Sequence, residues 1–434
     1  MTAPARRLPH RIALIAAVLL GAVLLAAGPE LQERFRLDNG MTVVYRHDPA
    51  SEVTVLLIGI GGGQSAEPVD KAGLAFLTSR LAIDIPDQSK AQDFVVKALH
   101  SSLNVRGDFA VIQLECLSEF FDEVAAAFVR ILADPLFTGV RIERIKEFMA
   151  HQRRLEADDA GNAGRLAQAE AFFAGTGYGR SIYGSEASLA AIKAKDIKDF
   201  YDRLFIAGNI TLTVVTDLDR ERLAAMLKKH FGGFRKSATA PAIPSLASAS
   251  PAEPSRQMEK EALQTYVSAA YPLPAAGRRN YVLDSLLENA LGRGPGTRLW
   301  SLRSEQKLAY NVAASALQMK QGGLFEAFLE TDPSKTAQAR TALGALLAEV
   351  HHTGLSAEEL DVAKAGLKSL FLRGNETKIS RASTLASFEA LGLDASFFEA
   401  FAKEVDAVTL DEMNAHIRSV LDPAKAHWVL VGPK

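Results

Sequence analysis

Short apolar runs separated by turn residues alternate with longer segments of helical periodicity along the first half of the chain. The clearest turn is Asp38-Asn39-Gly40, because Asn-Gly between two apolar runs is the strongest short-range hairpin signal. Apolar runs of strand length predict strands, and apolar residues spaced three and four apart predict helices. The pattern predicts strands at 35–37, 41–45, 53–60, 103–105, 109–117 and 210–215, and helices at 72–85, 119–133, 141–157, 165–173 and 195–205, with a loop at 158–164.

A segment poor in bulky apolar residues divides this pattern in two. Residues 236–256 are rich in Pro, Ser and Ala, a composition typical of a semi-extended linker. Beyond it, the pattern predicts strands at 265–271, 309–319, 323–330 and 428–431, and helices at 281–291, 335–351, 357–372 and 410–420.

The two halves end alike, each with an amphipathic helix followed by an apolar strand. The two copies lie about half of the chain apart, which favours a duplicated domain. We therefore predict an α+β fold with two homologous domains, 33–235 and 257–434. Each domain is expected to have an antiparallel-rich sheet with helices packed on one face.

The first 28 residues have the order of a targeting segment. Three arginines precede the uncharged apolar run 12–27, and the small residues Ala26, Ala27 and Gly28 close it. A basic region, a hydrophobic core and a cleavage zone follow one another in this way in signal peptides. Residues 1–28 are thus predicted to be a signal peptide or an uncleaved N-terminal anchor. Either form predicts export, to the periplasm if the source is bacterial, and an uncleaved segment would anchor the chain in the inner membrane.

Composition and charge narrow the classes of function. The 434 residues suit two domains of ordinary size, and 48% hydrophobic with 23% charged residues is typical of a folded chain. Lys and Arg (49) nearly balance Asp and Glu (51), which argues against binding of nucleic acid. The single cysteine, Cys116, allows neither an internal disulfide nor a zinc site built from several thiolates, so we predict a buried strand thiol.

Several short motifs follow residue 33, and their order and spacing are more specific than any one of them. They are Leu37-x-Asn39-Gly40, Gly73-Leu74-Ala75, Asp134-Pro135, Gly179-Arg180-Ser181-Ile182-Tyr183-Gly184, Asp199-Phe200-Tyr201, the glycine-rich run 291–300 and Leu302-Arg303-Ser304-Glu305-x-x-Leu308-Ala309-Tyr310. Together they resemble the pitrilysin/insulinase family of zinc metallopeptidases, in particular its two-domain branch that includes mitochondrial processing peptidase. The resemblance implies that the chain forms half of a clamshell around a peptide chamber.

The resemblance also locates a metal motif that this chain lacks. In catalytic members, Gly-Leu-Ala continues as H-x-x-E-H, where two histidines bind zinc and the glutamate takes a proton from the bound water. The corresponding residues here are Phe76-Leu77-Thr78-Ser79-Arg80. The third ligand of the family corresponds to Gln152, or to Glu147 or Glu156 if the register is shifted.

Phe76, Ser79, Arg80 and Gln152 thus mark a degenerate metal site, and the resemblance implies that the chain holds no cofactor of its own. Two interpretations stay open: the four positions have drifted into ordinary structural roles, or Arg80 replaces the charge of the metal and attracts peptide carbonyls or carboxylates. Neither the Glu147–His151 pair nor His351-His352 is expected to bind a metal.

Substrate-binding residues are implied in the second domain. The family has an arginine and, seven residues later, a tyrosine that reach the substrate, and Arg303 and Tyr310 match this pair, with Arg298 as a second candidate. An arginine offers a planar fork of donors, and a tyrosine hydroxyl can stabilise an oxyanion. The structural alternative is an ion pair for Arg303 and a core position for Tyr310.

The family also binds peptides as an extra strand on an exposed sheet edge. Residues 102–106 are the first choice for this edge, and 55–61 are the second.

These observations predict a non-catalytic, substrate-binding subunit of a heterodimeric zinc peptidase. The zinc is expected in a homologous partner chain that carries H-x-x-E-H, and the substrate is a peptide or an unfolded polypeptide. The alternatives are a non-proteolytic scaffold of the same fold and a peptidase of different chemistry, although no G-x-S-x-G turn is present in the sequence.

Overall fold

The computed structural model describes residues 32–85, 99–236, 251, 253–292 and 294–433. Two β-sheets with helices packed against them account for most of this part of the chain. The N-terminal segment 1–28 and most of the segment predicted to be a linker lie outside the described residues. No helix within these ranges has the length and apolar character needed to cross a membrane.

The first half forms a six-stranded sheet. Its strands are β1 (Gln32–Arg36), β2 (Thr42–His47), β3 (Val53–Gly61), β4 (His100–Val105), β5 (Phe109–Leu117) and β6 (Ile210–Thr216), in the spatial order β1-β2-β6-β3-β5-β4. The predicted hairpin joins β1 to β2, and Gly40 turns the chain with a φ of 94°, a value that glycine adopts without steric cost. Cys116 is buried in β5, as predicted.

The five predicted helices of this half are present in the predicted order with small shifts, together with two helices that the pattern did not predict. They are α1 (Leu74–Ala82), α2 (Phe121–Ala133), α3 (Gly139–Asp158), α4 (Ala160–Phe172), α5 (Glu186–Ala191), α6 (Ala194–Leu204) and α7 (Arg220–Phe231). The predicted loop at 158–164 is wrong, because only Asp159 separates α3 from α4. The Asp159 side chain accepts a hydrogen bond from the backbone N of Asn162, which caps the new helix directly.

The second half forms a five-stranded sheet. Its strands are β7 (Ser255–Glu259), β8 (Thr265–Leu273), β9 (Asn311–Met319), β10 (Gly322–Thr331) and β11 (His427–Gly432), in the order β7-β11-β8-β10-β9. Its helices are α8 (Arg278–Gly292), α9 (Trp300–Ser304), α10 (Thr336–Thr353), α11 (Ala357–Arg373), α12 (Lys378–Leu391), α13 (Phe397–Asp406) and α14 (Leu410–Val420).

The two sheets share one topology, which is strong evidence for a duplicated domain. In the first sheet, β6 is parallel to β2 and antiparallel to β3. In the second, β11 is parallel to β7 and antiparallel to β8. A hairpin completes each sheet, so β4 and β9 occupy equivalent edges. By the same correspondence α1 is the counterpart of α8, and α4 is the counterpart of α12.

Each sheet is covered on one face by helices of its own half and on the other face by a helix of the opposite half. Along β3, Leu56 and Ile58 belong to the core of the first half, whereas Val55 and Leu57 belong to a core shared with the second half. This alternation follows from the period of two in a strand. Burial on both faces explains why residues 53–60 form a nearly continuous apolar run.

Helices α4 and α12 are the helices that pack against the sheet of the opposite half. Helix α4 packs on β8 and β11 of the second sheet, and α12 packs on β3 and β6 of the first. The Gln168 amide of α4 donates to Ser268 Oγ at 2.9 Å. A Cβ at Gly164 would lie 2.5 Å from a ring carbon of Tyr266, so only glycine permits this approach.

Candidate peptide-binding site and degenerate metal pocket

Helix α1 corresponds to the metal-binding helix of the family that the sequence resembles. It begins next to the buried carboxyl group of Glu67. Gly73 precedes the helix with a φ of 92°. The carboxylate of Glu67 accepts hydrogen bonds from the backbone N of Gly73 at 3.2 Å and of Ala75 at 2.7 Å. Two of the N–H groups that a helix start leaves unpaired are thereby satisfied, and the orientation of α1 is fixed.

Burial raises the pKa of the Glu67 carboxyl group. Desolvation raises its pKa from 4.5 to about 8, while the two backbone hydrogen bonds and the charge of Arg180 oppose this rise. The folded protein therefore keeps the proton of Glu67 at pH values where the unfolded chain has released it. This linkage makes the free energy of unfolding fall as the pH rises from about 4.5 to 8.

Replacing Glu67 by Gln should remove this contribution to the pH dependence of stability. Between pH 5 and 8, we expect the free energy of unfolding of the wild type to fall relative to that of Glu67→Gln. The fall should be up to about 1.4 kcal/mol per pH unit. Urea unfolding at pH 5, 6, 7 and 8 measures the difference. Glu147→Gln, which changes an exposed carboxylate on α3, is the matched control. Parallel profiles of unfolding free energy against pH for the wild type and Glu67→Gln would contradict the raised pKa of Glu67.

An aromatic cluster occupies the surroundings of the degenerate motif. Phe76 on α1 is 7% exposed, and its ring lies 6.3 Å from that of Phe148 on α3 and 5.1 Å from that of Tyr183. The edge-to-face contact with Tyr183 and the stacked contact with Phe148 are favourable arrangements of aromatic pairs. Hydrocarbon therefore lies around the position at which the family has its first zinc ligand.

The other positions of the motif also lack metal-binding groups. Ser79 is buried, and Arg80 and Gln152 are partly buried. Of the register alternatives, Glu147 is exposed, and Glu156 accepts a hydrogen bond from Ser181 Oγ at 2.5 Å. Among the residues that the structure describes, no three His, Cys, Asp or Glu side chains are grouped so that they could hold a metal ion.

The residues present at this pocket therefore do not fit zinc. A structural or catalytic zinc needs at least three thiolate, imidazole or carboxylate ligands, and the four aligned positions supply an aromatic ring, a hydroxyl, a guanidinium and an amide. No ion pair joins Arg80 to any described residue, so whether its charge replaces that of the metal stays a hypothesis.

The predicted substrate-binding pair lies together on the surface of the second half. The guanidinium carbon of Arg303 lies 5.0 Å from the ring centroid of Tyr310 and 4.6 Å from that of Trp300. Tyr310 is 74% exposed, which is incompatible with the core position of the structural alternative. Arg303 forms no ion pair with the described residues, so the ion pair of that alternative is also missing within those ranges. The arrangement leaves a cation and a phenol hydroxyl accessible to a ligand.

Arg298, the second candidate, has a structural role instead. Its guanidinium binds both carboxylate oxygens of Glu359, at 2.5 and 3.0 Å, and reaches Glu349 at 3.2 Å. The hydrogen bond to Glu359 raises the pKa of Arg298, and its counterpart lowers the pKa of Glu359. A bidentate pair of this kind is already saturated, so Arg298 connects α9 to the start of α11 and is not available to substrate.

Only one of the two predicted peptide edges is an edge. The strand at 102–106 corresponds to β4, which pairs with β5 and has no second strand neighbour within the described ranges. The second choice, 55–61, is wrong, because it lies within β3 between β6 and β5. Along β4, His100, Ser101 and Ser102 are exposed.

Sequence reasoning did not identify Trp300, Phe148 or Tyr183 as parts of these sites. Trp300 lies three residues before Arg303, a spacing that places both on one face of a helix, and this signal could have found it. The contact of Phe148 and Tyr183 with Phe76 depends on how α3 and the segment after α4 pack against α1, so no local signal was available.

Comparisons with known proteins agree with this fold. Residues 191–367 match the family model described as Peptidase M16 inactive domain. A protein named as an uncharacterized zinc protease in Mycobacterium leprae is 24% identical over 92% of this chain and 91% of its own length. One named non-peptidase homolog YmxG in Helicobacter pylori is 23% identical over 87% of this chain and 88% of its own.

Solved structures show the same two-domain fold. The peptidase M16 inactive domain from Pseudomonas fluorescens superposes with a TM-score of 0.85 at 22% identity, over 93% of this chain and 98% of that one. The first half of the periplasmic protease PqqL from Escherichia coli gives 0.74 at 18% identity, over 93% and 92%.

The chain has the two-domain fold of these peptidase-like structures, and the residues at 76–80 and 152 include no zinc ligand. The chain is similar to M16-type proteins and lacks the zinc motif at residues 76–80, which confirms the predicted resemblance to the pitrilysin/insulinase peptidases. Its relatives are named both as zinc protease and as non-peptidase homolog, so the residues of this chain must decide its role.

Proposed function

We propose that this chain is the non-catalytic, substrate-binding subunit of a heterodimeric M16-type zinc peptidase. The observation that carries the proposal is a contrast between two sites. At the degenerate pocket, Phe76 and its aromatic neighbours stand where metal ligands are needed. At the second site, Arg303 and Tyr310 lie together and accessible. This contrast supports a chain that binds a peptide without holding a metal.

The hydrolytic chemistry belongs, in this proposal, to a homologous partner chain that carries H-x-x-E-H and its zinc. The fold supports pairing of this kind, because the chain matches the first half of a longer protease over most of its length. A second unit of the same type would close the clamshell. Arg303 would then contribute hydrogen-bond donors, and Tyr310 a hydroxyl, to a peptide bound between the two chains.

The proposed substrate is an extended peptide or an unfolded polypeptide. The exposed edge of β4 offers backbone groups to an added strand, and such pairing tolerates many sequences because it uses main-chain hydrogen bonds. We further propose that the chain is exported, to the periplasm in a bacterium, because residues 1–28 have the order of a signal peptide or an anchor.

Reconstitution of the two chains tests this function. The chain and an H-x-x-E-H homologue from the same source are purified separately, then mixed, and cleavage of an unstructured fluorogenic peptide is measured with and without a chelator. We expect hydrolysis only from the mixture and inhibition by the chelator. A complex that forms without supporting hydrolysis would favour the scaffold alternative. Stoichiometric zinc and chelator-sensitive hydrolysis in this chain alone would overturn the proposal.

A further inference from the structure

The indole of Trp300 forms the second wall of the Arg303 site. Trp300 and Arg303 are three residues apart on α9, and Tyr310 immediately precedes β9. The guanidinium carbon lies 4.6 Å from the Trp300 ring centroid and 5.0 Å from the Tyr310 ring centroid. Arg303 is thus in contact with two aromatic rings, one of which the substrate-binding pair does not include.

Within the described part of the chain, the Arg303 guanidinium donates no hydrogen bond, and its recorded contacts are with the two rings. Aromatic rings attract an arginine through its planar faces, whereas its five N–H donors lie in the plane of the group. Stacking therefore restricts the side chain without consuming its donors. An arginine on a surface otherwise loses rotamer entropy when a ligand fixes it, and a stacked arginine has lost part of that freedom before the ligand binds.

The backbone between the two rings is fixed on both sides. Leu302 and Leu308 are buried, and the backbone N of Leu308 donates to the Leu302 carbonyl at 2.9 Å. Thr331 Oγ1 donates to the Leu308 carbonyl at 2.6 Å. Lys307 takes a positive φ of 52° in the turn that separates α9 from β9. The positions of Trp300 and Tyr310 are therefore determined by the fold and do not depend on a ligand.

We propose that Trp300 is a positioning residue, which holds the Arg303 guanidinium against its indole so that the free N–H edge meets the carbonyl or carboxylate oxygens of a bound peptide. The identity of the ligand rests on the proposed function. The stacking of Arg303 on Trp300 does not, and it can be measured without any peptide.

The first measurement concerns the stacking itself. The chain has two tryptophans, Trp300 and Trp428, so Trp428→Phe leaves Trp300 as the only tryptophan fluorophore in the full-length chain. In this background, Arg303→Ala should move the emission maximum to longer wavelength and increase quenching by acrylamide, because the indole face becomes accessible to water. Arg418→Ala, which changes an exposed arginine on α14, should alter neither. Unchanged emission and quenching in the Arg303 variant would overturn the stacking.

The second measurement concerns peptide binding. Anisotropy of a fluorescein-labelled, 15-residue unstructured peptide gives Kd for the full-length wild type, Trp300→Leu, Trp300→Phe and Arg303→Ala. We expect Trp300→Leu to weaken binding by about threefold to tenfold, the range of a cation–π contact, and Trp300→Phe to restore most of the loss because a ring is retained. Equal thermal unfolding of the two Trp300 variants separates this effect from misfolding.

The outcomes distinguish the two proposals. If the wild type does not bind the peptide, or Arg303→Ala binds it as tightly as the wild type, the proposed function fails at this site. If Arg303→Ala weakens binding while Trp300→Leu binds like the wild type, the positioning role of Trp300 is wrong and the proposed function stands. Equal losses in Trp300→Leu and Trp300→Phe would also contradict the positioning role, because they would show that the ring is not what matters.

Discussion

Arg303→Ala is expected to lower peptide hydrolysis by the reconstituted pair of chains by about tenfold to 100-fold, the usual effect of losing a hydrogen bond from a charged group to the peptide. The substituted chain should still fold and bind its partner, because Arg303 lies on the surface and makes no ion pair within the described part of the chain. Steady-state hydrolysis of a fluorogenic peptide by each reconstituted mixture measures the effect.

Tyr310→Phe separates the two roles of the tyrosine. The variant keeps the ring that lies 5.0 Å from the Arg303 guanidinium and removes only the hydroxyl, so a fall in kcat with little change in KM is expected if the hydroxyl stabilises the transition state. Arg418→Ala is the matched control for loss of an exposed arginine. Unchanged hydrolysis with both Arg303→Ala and Tyr310→Phe would exclude a substrate-binding role for this pair and favour a scaffold.

Leu385→Ala is expected to destabilise the protein by about 3–5 kcal/mol, the cost of an unfilled cavity in a core. Leu385 lies on α12 and has no exposed surface. It shares a helix face with Lys378, whose ammonium donates to the carbonyls of Ser51 and Val53 at 2.5 and 2.8 Å. The effect should therefore reach the first sheet, although the substitution is in the second half.

Hydrogen exchange shows where the stability is lost. In Leu385→Ala, the amides of β3 and β6 should exchange faster than in the wild type, because α12 covers these strands. Leu372→Ala, at a position that is 71% exposed on α11, is the matched control and should change the free energy of unfolding by no more than about 0.5 kcal/mol. Unchanged protection of β3 and β6 in Leu385→Ala would show that the two halves are stabilised independently.

Helix α12 is an element that the sequence pattern did not predict. Its sequence begins Lys-Ile-Ser-Arg-Ala-Ser-Thr, which has few bulky apolar residues, and the pattern predicted no helix there. The pattern also predicted no helix at α5, α7, α9 or α13, although α13 contains three phenylalanines. Helix α12 is stabilised by burial between the two halves, and tertiary packing of this kind overrides a weak local propensity. By contrast, the Asn-Gly hairpin and the helix at 72–85 carry strong local signals and lie where they were predicted.

In the candidate site, too, some residues were predicted from the sequence and the role of others became clear only from the structure. The resemblance to the pitrilysin/insulinase family was enough to predict Arg303 and Tyr310 as the substrate-binding pair and to locate the motif from Phe76 to Arg80. The resemblance placed Arg298 second but did not exclude it, because both residues are arginines in one short segment. Only the structure shows that Arg298 is bound by Glu359, which lies 61 residues further along the chain.

The sequence by itself determined the two-domain α+β plan, the duplication and the absence of metal ligands at 76–80, because these depend on residue types and on periodicities of a few residues. The tertiary structure alone decided that β3 is an inner strand, that α4 and α12 cover the opposite sheets, and that the Arg303 guanidinium lies over the Trp300 ring while Phe148 and Tyr183 contact Phe76. Contacts of this second kind form between groups that the folded backbone brings together, and a local pattern does not specify which distant group arrives.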